Sequence, residues 1–134
     1  MKEKFKETLS NILSYLLKVE RRTLLWTNPS PTSPFAAQTV SLDLRDYVAV
    51  EVEAKTGASI DQYTTHKFDV GGGGLITNFQ LNDTWYMRQM TANSTGIIFA
   101  NGRYCYMSNG GNGVLDAVCI PTKIYGIKYG GGTA

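Results

Sequence analysis

The sequence predicts a mainly β protein, an antiparallel β-sandwich of jelly-roll-like type preceded by one N-terminal coiled-coil helix. Three observations carry this reading. A heptad-spaced apolar stripe runs through the first 22 residues and does not recur. Three prolines fall within residues 27–34. From residue 35 onward, apolar and polar residues alternate in short runs, with Gly, Asn or Asp breaks roughly every 8–12 residues. The expected division is a helix over 1–22, a Pro-rich connector over 23–34 and a head domain over 35–134.

In the first segment Phe5, Leu9, Ile12, Leu16 and Val19 recur at spacings of 4, 3, 4 and 3. Placing Leu9 and Leu16 at heptad position a puts Ile12 and Val19 at d, a combination that favours three or four strands over two. Leu13 and Leu17 widen the stripe, while Lys2, Lys4, Lys6, Glu7 and Lys18 fill the other faces. Arg21 and Arg22 are expected in the last turn, where cations complement the helix dipole. A helix this short is marginal alone in water, so its stripe must be covered by sister subunits or by its own domain. Phe5, Leu9, Ile12, Leu16 and Val19 form the expected oligomerisation seam.

Proline fixes φ and has no amide donor, so residues 27–34 cannot extend a helix or enter a central strand. They are expected to form a stiff, extended connector. Leu24, Leu25 and Trp26 open the β domain or plug its base. All fourteen glycines fall at or beyond residue 57, which puts the tight turns there.

Residues 48–55 alternate cleanly. Val48, Val50, Val52 and Ala54 are expected to point inward, with Glu51, Glu53 and Lys55 on a solvated outer face. Val40, Leu42 and Leu44 alternate with Ser41 and Asp43, and Arg45-Asp46-Tyr47 turns between the two strands. Further strands are expected over 61–70, 75–81, 85–91, 96–100, 103–107 and 117–129. Their joints are residues 71–74, Asn82-Asp83, Asn93-Ser94, Asn101-Gly102 and residues 109–113. No segment here has helical period, which argues against a βαβ fold.

Charge and composition exclude several functions. Residues 1–22 carry six basic and three acidic side chains, leaving seven and eight for the rest. A near-neutral body lacks the basic stripe of a nucleic-acid-binding domain. No apolar run is long enough to cross a bilayer, and the N-terminus lacks a signal peptide's pattern. Cys105 and Cys119 are too few for a disulfide framework and read as two buried thiols in a reducing compartment.

No reaction is indicated. His66 is the single histidine, so one chain cannot build an imidazole metal site. No Ser lies in a G-x-S-x-G elbow, and no Gly-Lys-Ser/Thr follows the tetraglycine at 71–74. Glu51 and Glu53, two apart on one strand, would sit about 6.5–7 Å apart. A solvated face offers nothing to raise the pKa of a catalytic acid. No catalytic, metal or cofactor-binding residue is assigned.

What the second half offers is aromatic and amide-rich segments. Trp85, Tyr86, Asn101, Arg103, Tyr104, Tyr106, Asn109 and Asn112 form the candidate contact set. Aromatic faces stack on sugar C–H surfaces, while Asn and Arg supply directional hydrogen bonds. Taken singly, Trp85, Tyr104 and Tyr106 fit core or interface roles better; as a group these segments are the candidate contact surface, since binding sits on loops held by a rigid scaffold.

Two terminal runs carry a resemblance. Leu25-Trp26-Thr27-Asn28-Pro29, then Phe35-Ala36-Ala37-Gln38-Thr39-Val40 with Leu42-Asp43-Leu44 and Tyr47, looks like the opening of a β domain of bacteriophage and prophage structural proteins. The run Ile120-Pro121-Thr122-Lys123-Ile124-Tyr125-Gly126-Ile127-Lys128 resembles its end, and Gly96-Ile97-Ile98-Phe99 fits its middle. The likeness spans roughly residues 23–129 and is to tail-fibre, tail-tip or head-fibre modules, which are commonly trimeric. It implies a virion protein made in the bacterial host cytoplasm, with no catalytic residues to carry over. The expected partners are two further copies of the chain and other virion proteins through the N-terminal helix. A host surface glycan or protein is the expected external contact, with no nucleic acid and no membrane insertion. The alternative is a head-fibre, decoration or tail-assembly protein without receptor contact.

Overall fold

The computed structural model describes residues 2–17, 19–80 and 83–129; the side chains of Asn11 and of residues 14–17 lie outside the description. Helix α1 covers Lys2–Leu17 and strand β1 covers Glu20–Thr27. The helix is thus shorter than its heptad pattern predicts. Val19 lies beyond it, and Arg21 and Arg22 sit on β1 rather than in a last helical turn, which carries no basic residue. The physical reason is pairing: Glu20 to Thr27 run antiparallel to the last strand, β9 (Val118–Tyr129), from Glu20 opposite Tyr129 to Thr27 opposite Lys123. Interstrand hydrogen bonds outweigh the helix propensity of Arg21 and Arg22, and β-branched Thr23 favours the strand. Leu16, also placed in the seam, has its side chain outside the described residues.

The Pro-rich stretch therefore links β1 to β2 (Gln38–Ser41), inside the head, and does not join helix to head. It is pinned there. Asn28 donates its backbone N–H to the carbonyl of Thr122 (2.8 Å) and its side-chain amide to that of Pro121 (2.9 Å). Phe35 is buried edge-on against Trp26 and Phe99.

The remaining strands are β3 (Ala49–Gly57), β4 (Ile60–Asp69), β5 (Gly73–Gln80), β6 (Thr84–Asn93), β7 (Gly96–Tyr106) and β8 (Asn112–Val114). Among the described residues they form two antiparallel sheets. The first has the order β1-β9-β3-β4, the second β2-β7-β6-β5 with β8 also on β7. β2 and β8 pair with successive stretches of the β7 edge that β6 leaves free. Both sheets contribute to one hydrophobic core. It takes Val50, Val52, Ala54, Ile120 and Ile124 from the first, and Val40, Ile76, Met90, Ala92, Ile97 and Phe99 from the second.

The alternation read in β3 orients Val50, Val52 and Ala54 inward, but Val48 precedes the strand and is half exposed. Arg45 to Tyr47 do turn, closed by Tyr47 N–H to Leu44 C=O at 3.1 Å, yet β2 and β3 lie in different sheets. β7 is one continuous strand. Asn101-Gly102, expected as a hairpin turn, is an irregularity where Arg88 opposes Gly102 and Met90 opposes Phe99. Gly102 is required at that point. A Cβ would stand 2.3 Å from the Leu115 carbonyl oxygen and 2.9 Å from that of Val118.

Candidate contact surface

Strand parity sorts the candidate residues, because side chains in register on neighbouring antiparallel strands share a face. Trp85 lies opposite Phe79 on one side and Cys105 on the other, and Cys105 lies opposite Asn112. The next outward row is Thr77, Met87, Arg103 and Val114. Leu75 extends this outer face along β5. Phe79 is 57% exposed and Trp85 37%, with Leu75 and Val114 about half exposed. The outer face of the second sheet is therefore apolar and open, with one guanidinium, that of Arg103, inside it. Sequence reading found Trp85, Arg103 and Asn112 here but missed Leu75, Phe79, Met87 and Val114. The alternation Leu75-Thr77-Phe79 was the available signal.

The three tyrosines lie on the opposite side of the same sheet. Tyr86 packs against the core opposite Tyr104 and is only partly exposed. Tyr104 and Tyr106 have ring centroids 5.2 Å apart, tilted by 55°. Tyr104 presses on Gly113, where a Cβ would stand 3.0 Å from its hydroxyl oxygen. Tyr106 stays exposed at the sheet end.

The amides turn out to shape the loop. Asn109 Oδ1 accepts the Gly111 N–H (2.8 Å), and Asn112 Nδ2 donates to the Gly110 carbonyl (3.1 Å). Asp83 accepts the N–H of Ser108 with its side chain (2.7 Å) and that of Met107 with its backbone carbonyl (3.0 Å). Asn101 is elsewhere, accepting the Ala37 N–H at 2.9 Å and so fixing the entry to β2. Asn101 and Tyr86 are structural. What remains as accessible surface is Trp85 with Arg103 on one side of the sheet, and Tyr106 with the Asn109–Asn112 turn at its end.

Other candidate chemistry resolves into structure. Glu51 and Glu53 point outward as expected but do not face bare solvent. Glu51 Oε2 lies 2.7 Å from Arg22 Nε, off the N–H axis, and Arg22 stacks over Tyr125 at 4.1 Å. Glu53 Oε1 accepts the Thr122 hydroxyl at 2.8 Å. Lys55 is buried, donating to the Ala58 carbonyl (3.1 Å) and pairing with Asp61 (3.3 Å). His66 stacks on Phe68 with its Nε2 3.1 Å from the Thr64 hydroxyl, and burial lowers its pKa from 6.5. Cys119 is buried and its thiol is pushed up to about 12 by desolvation, while Cys105 is partly exposed; neither is in a disulfide. Among the described residues no group of His, Cys, Asp and Glu is placed to hold a metal ion.

A residue that sequence reading overlooked is Arg88, fully buried on the inner side of β6. Its guanidinium donates to the carbonyls of Ala100 (2.6 Å), Cys119 (2.8 Å), Val118 (3.0 Å) and Asp116 (3.2 Å), and lies 5.3 Å from the Phe35 ring centroid. Burial lowers its pKa to about 10, so it is charged at neutral pH. Parity could have found it, since it sits between Tyr86 and Met90 on the core side. No helix is long and apolar enough to cross a membrane among the described residues. No family model, curated protein or solved structure matches the chain.

Proposed function

We propose that this protein is a bacteriophage virion component, a homotrimeric fibre or knob in which α1 is the stem and the β head contacts the host surface. The observation that carries the reading is the state of α1. Its stripe residues Phe5, Leu9, Ile12 and Leu13 are 46–70% exposed, so the head leaves the apolar side of the helix uncovered. Burying each such side chain is worth about 1.5–3 kcal/mol, and a lone helix of this length is marginal in water. Three copies in a coiled coil cover one another's stripes at no cost to the head. In this reading the head is a sandwich of jelly-roll type, supported by the chain crossing between the sheets from β1 to β2 and from β2 to β3. The resemblance of residues 23–129 to phage fibre domains supplies the virion setting. Trp85, Arg103 and Tyr106 supply an accessible aromatic and cationic surface for a glycan or protein receptor, and three copies of a weak site gain by avidity. Light scattering tests the reading directly: the full chain runs as a trimer, and a monomeric wild type would remove the stem.

A second reading has its own observation. Lys2, Lys4 and Lys6 crowd the positive end of the helix dipole, where cations are unfavourable. An acidic surface on another virion protein would account for them, with the chain acting as a head-fibre, decoration or tail-assembly part without receptor contact. Loss of virion incorporation on changing all three to Gln, with host binding of the free protein absent, selects this reading.

A further inference from the structure

An open cleft of about 410 Å³ lies on the outer side of the first sheet, against the Pro-rich connector. Its chemistry is carried by Pro31, Glu53, Tyr63, Thr122 and Lys123. One rim is rigid, because Asn28 bonds to Pro121 and Thr122 and accepts the Ser30 N–H with its side-chain oxygen (2.8 Å). The Tyr63 ring stands on β4 and is 53% exposed. Glu53 and Lys123 face each other in register across β3 and β9. Thr122 is the extra residue at the register shift between Glu53 and Ala54, which is why its hydroxyl reaches and orients the Glu53 carboxylate.

Opposite charges directly across an antiparallel pair usually close into an ion pair. Here they do not. Among the described residues neither Glu53 nor Lys123 enters an ion pair, although each is only partly buried and both line the same cleft. A carboxylate with one oxygen, Oε1, oriented by Thr122 and a lysine outside any ion pair thus occupy paired positions on β3 and β9 next to an exposed tyrosine ring.

We propose that this cleft binds a neutral sugar residue. The Tyr63 ring stacks on the C–H face of the pyranose, the Glu53 carboxylate accepts from two adjacent hydroxyls, and the Lys123 ammonium donates to a third oxygen. The near-cancelling charges favour a neutral ligand over an anionic or cationic one. Glu51, two residues along β3 from Glu53, is paired with Arg22 and so is not offered as a second carboxylate for hydrolysis. The site belongs to a single chain, so it stands or falls separately from the trimeric stem.

The test is a ¹H–¹⁵N titration of the full-length protein with a panel of neutral hexoses, N-acetylhexosamines and their disaccharides, with sialic acid as the anionic control. At least one neutral sugar is expected to shift the amides of Thr122 and Lys123 and those around Tyr63, and sialic acid is not. Tyr63→Ala and Glu53→Gln are each expected to weaken that binding by about tenfold or more with the spectrum otherwise folded. The monomeric L9D variant should bind with the same intrinsic affinity. No response at these amides from any neutral sugar overturns the proposal. So does binding that survives Tyr63→Ala, and so does a response centred on Trp85 and Tyr106, which would transfer sugar recognition to the second sheet.

Discussion

The Arg88 guanidinium donates through Nε to the carbonyl of Cys119 at 2.8 Å, and Cys119 holds a left-handed backbone, φ +48°, at the start of β9. A non-glycine residue in that region is strained. The hydrogen bond joins the second sheet to the first at the strained point, and the other three carbonyls bound by Arg88 extend the clamp across β7 and the approach to β9. Among the described residues no carboxylate stands in ion-pair range of Arg88. Backbone dipoles and the Phe35 ring stabilise the charge instead.

Replacing Arg88 is therefore expected to be among the most damaging single changes in the head. Arg88→Leu strands buried carbonyls without donors and should cost about 3–5 kcal/mol. Arg88→Lys, which keeps the charge but loses the forked geometry, should fall between the two. Urea unfolding midpoints at constant m-value measure both.

The proposed stem makes a second prediction. Leu9→Asp or Ile12→Asp would place a charge in the proposed seam between helices and should convert a trimer into soluble monomers with a folded head. Light scattering reads the mass and circular dichroism the retained β signal. An unchanged mass would show that the stripe is not the seam.

Histidine supplies the pH dependence. Burial lowers the His66 pKa below 6.5, so on acidification the unfolded chain binds this proton before the folded one does. The contribution of His66 is fully present above pH 6.5 and is lost as pH falls from there through its lower folded value. The Tm of the wild type is expected to drop over this window by more than that of His66→Gln. Asp43, held at about 2 by its hydrogen bonds and charge pairing with Arg45, titrates well below it and does not interfere.

Receptor contact makes the last prediction. Trp85→Ala and Tyr106→Ala remove rings that are only 37% and 42% exposed, so each should lower stability by about 1–2 kcal/mol while the head stays folded. Host-cell binding by the proposed trimer should fall by an order of magnitude or more if these faces meet the host, because avidity multiplies a small loss at each site. Thermal melts and host-cell pull-down measure the two effects separately.

How much of this was legible in the sequence depended on whether local pattern or distant pairing decides an element. β3 was readable because Val50, Val52 and Ala54 meet a core on one side only, and period 2 records that directly. β1 was readable only from Leu24 to Trp26; Glu20 to Arg22 read as the end of the helix, and only their β9 partners more than 100 positions away make them a strand. Asn101-Gly102 carries turn chemistry, yet the glycine is there to let the Leu115 carbonyl approach. The contact set is divided between the two sides of the sheet for a related reason. Composition marks Trp85, Tyr86, Tyr104 and Tyr106 alike, but the register with β5 and β7 decides which face the core.

The direct hand-over from α1 to β1 has a mechanical consequence. A pull on the stem does not reach the proline segment first. It enters along β1, whose ladder with β9 runs from Glu20–Tyr129 to Thr27–Lys123 beside the central β3. Tension along that axis loads the rungs together in shear, so they resist as a set and do not peel one by one. The anchor of such a fibre would be the edge strand of its first sheet, held along its length by β9, with the Pro-rich segment lying behind the loaded rungs.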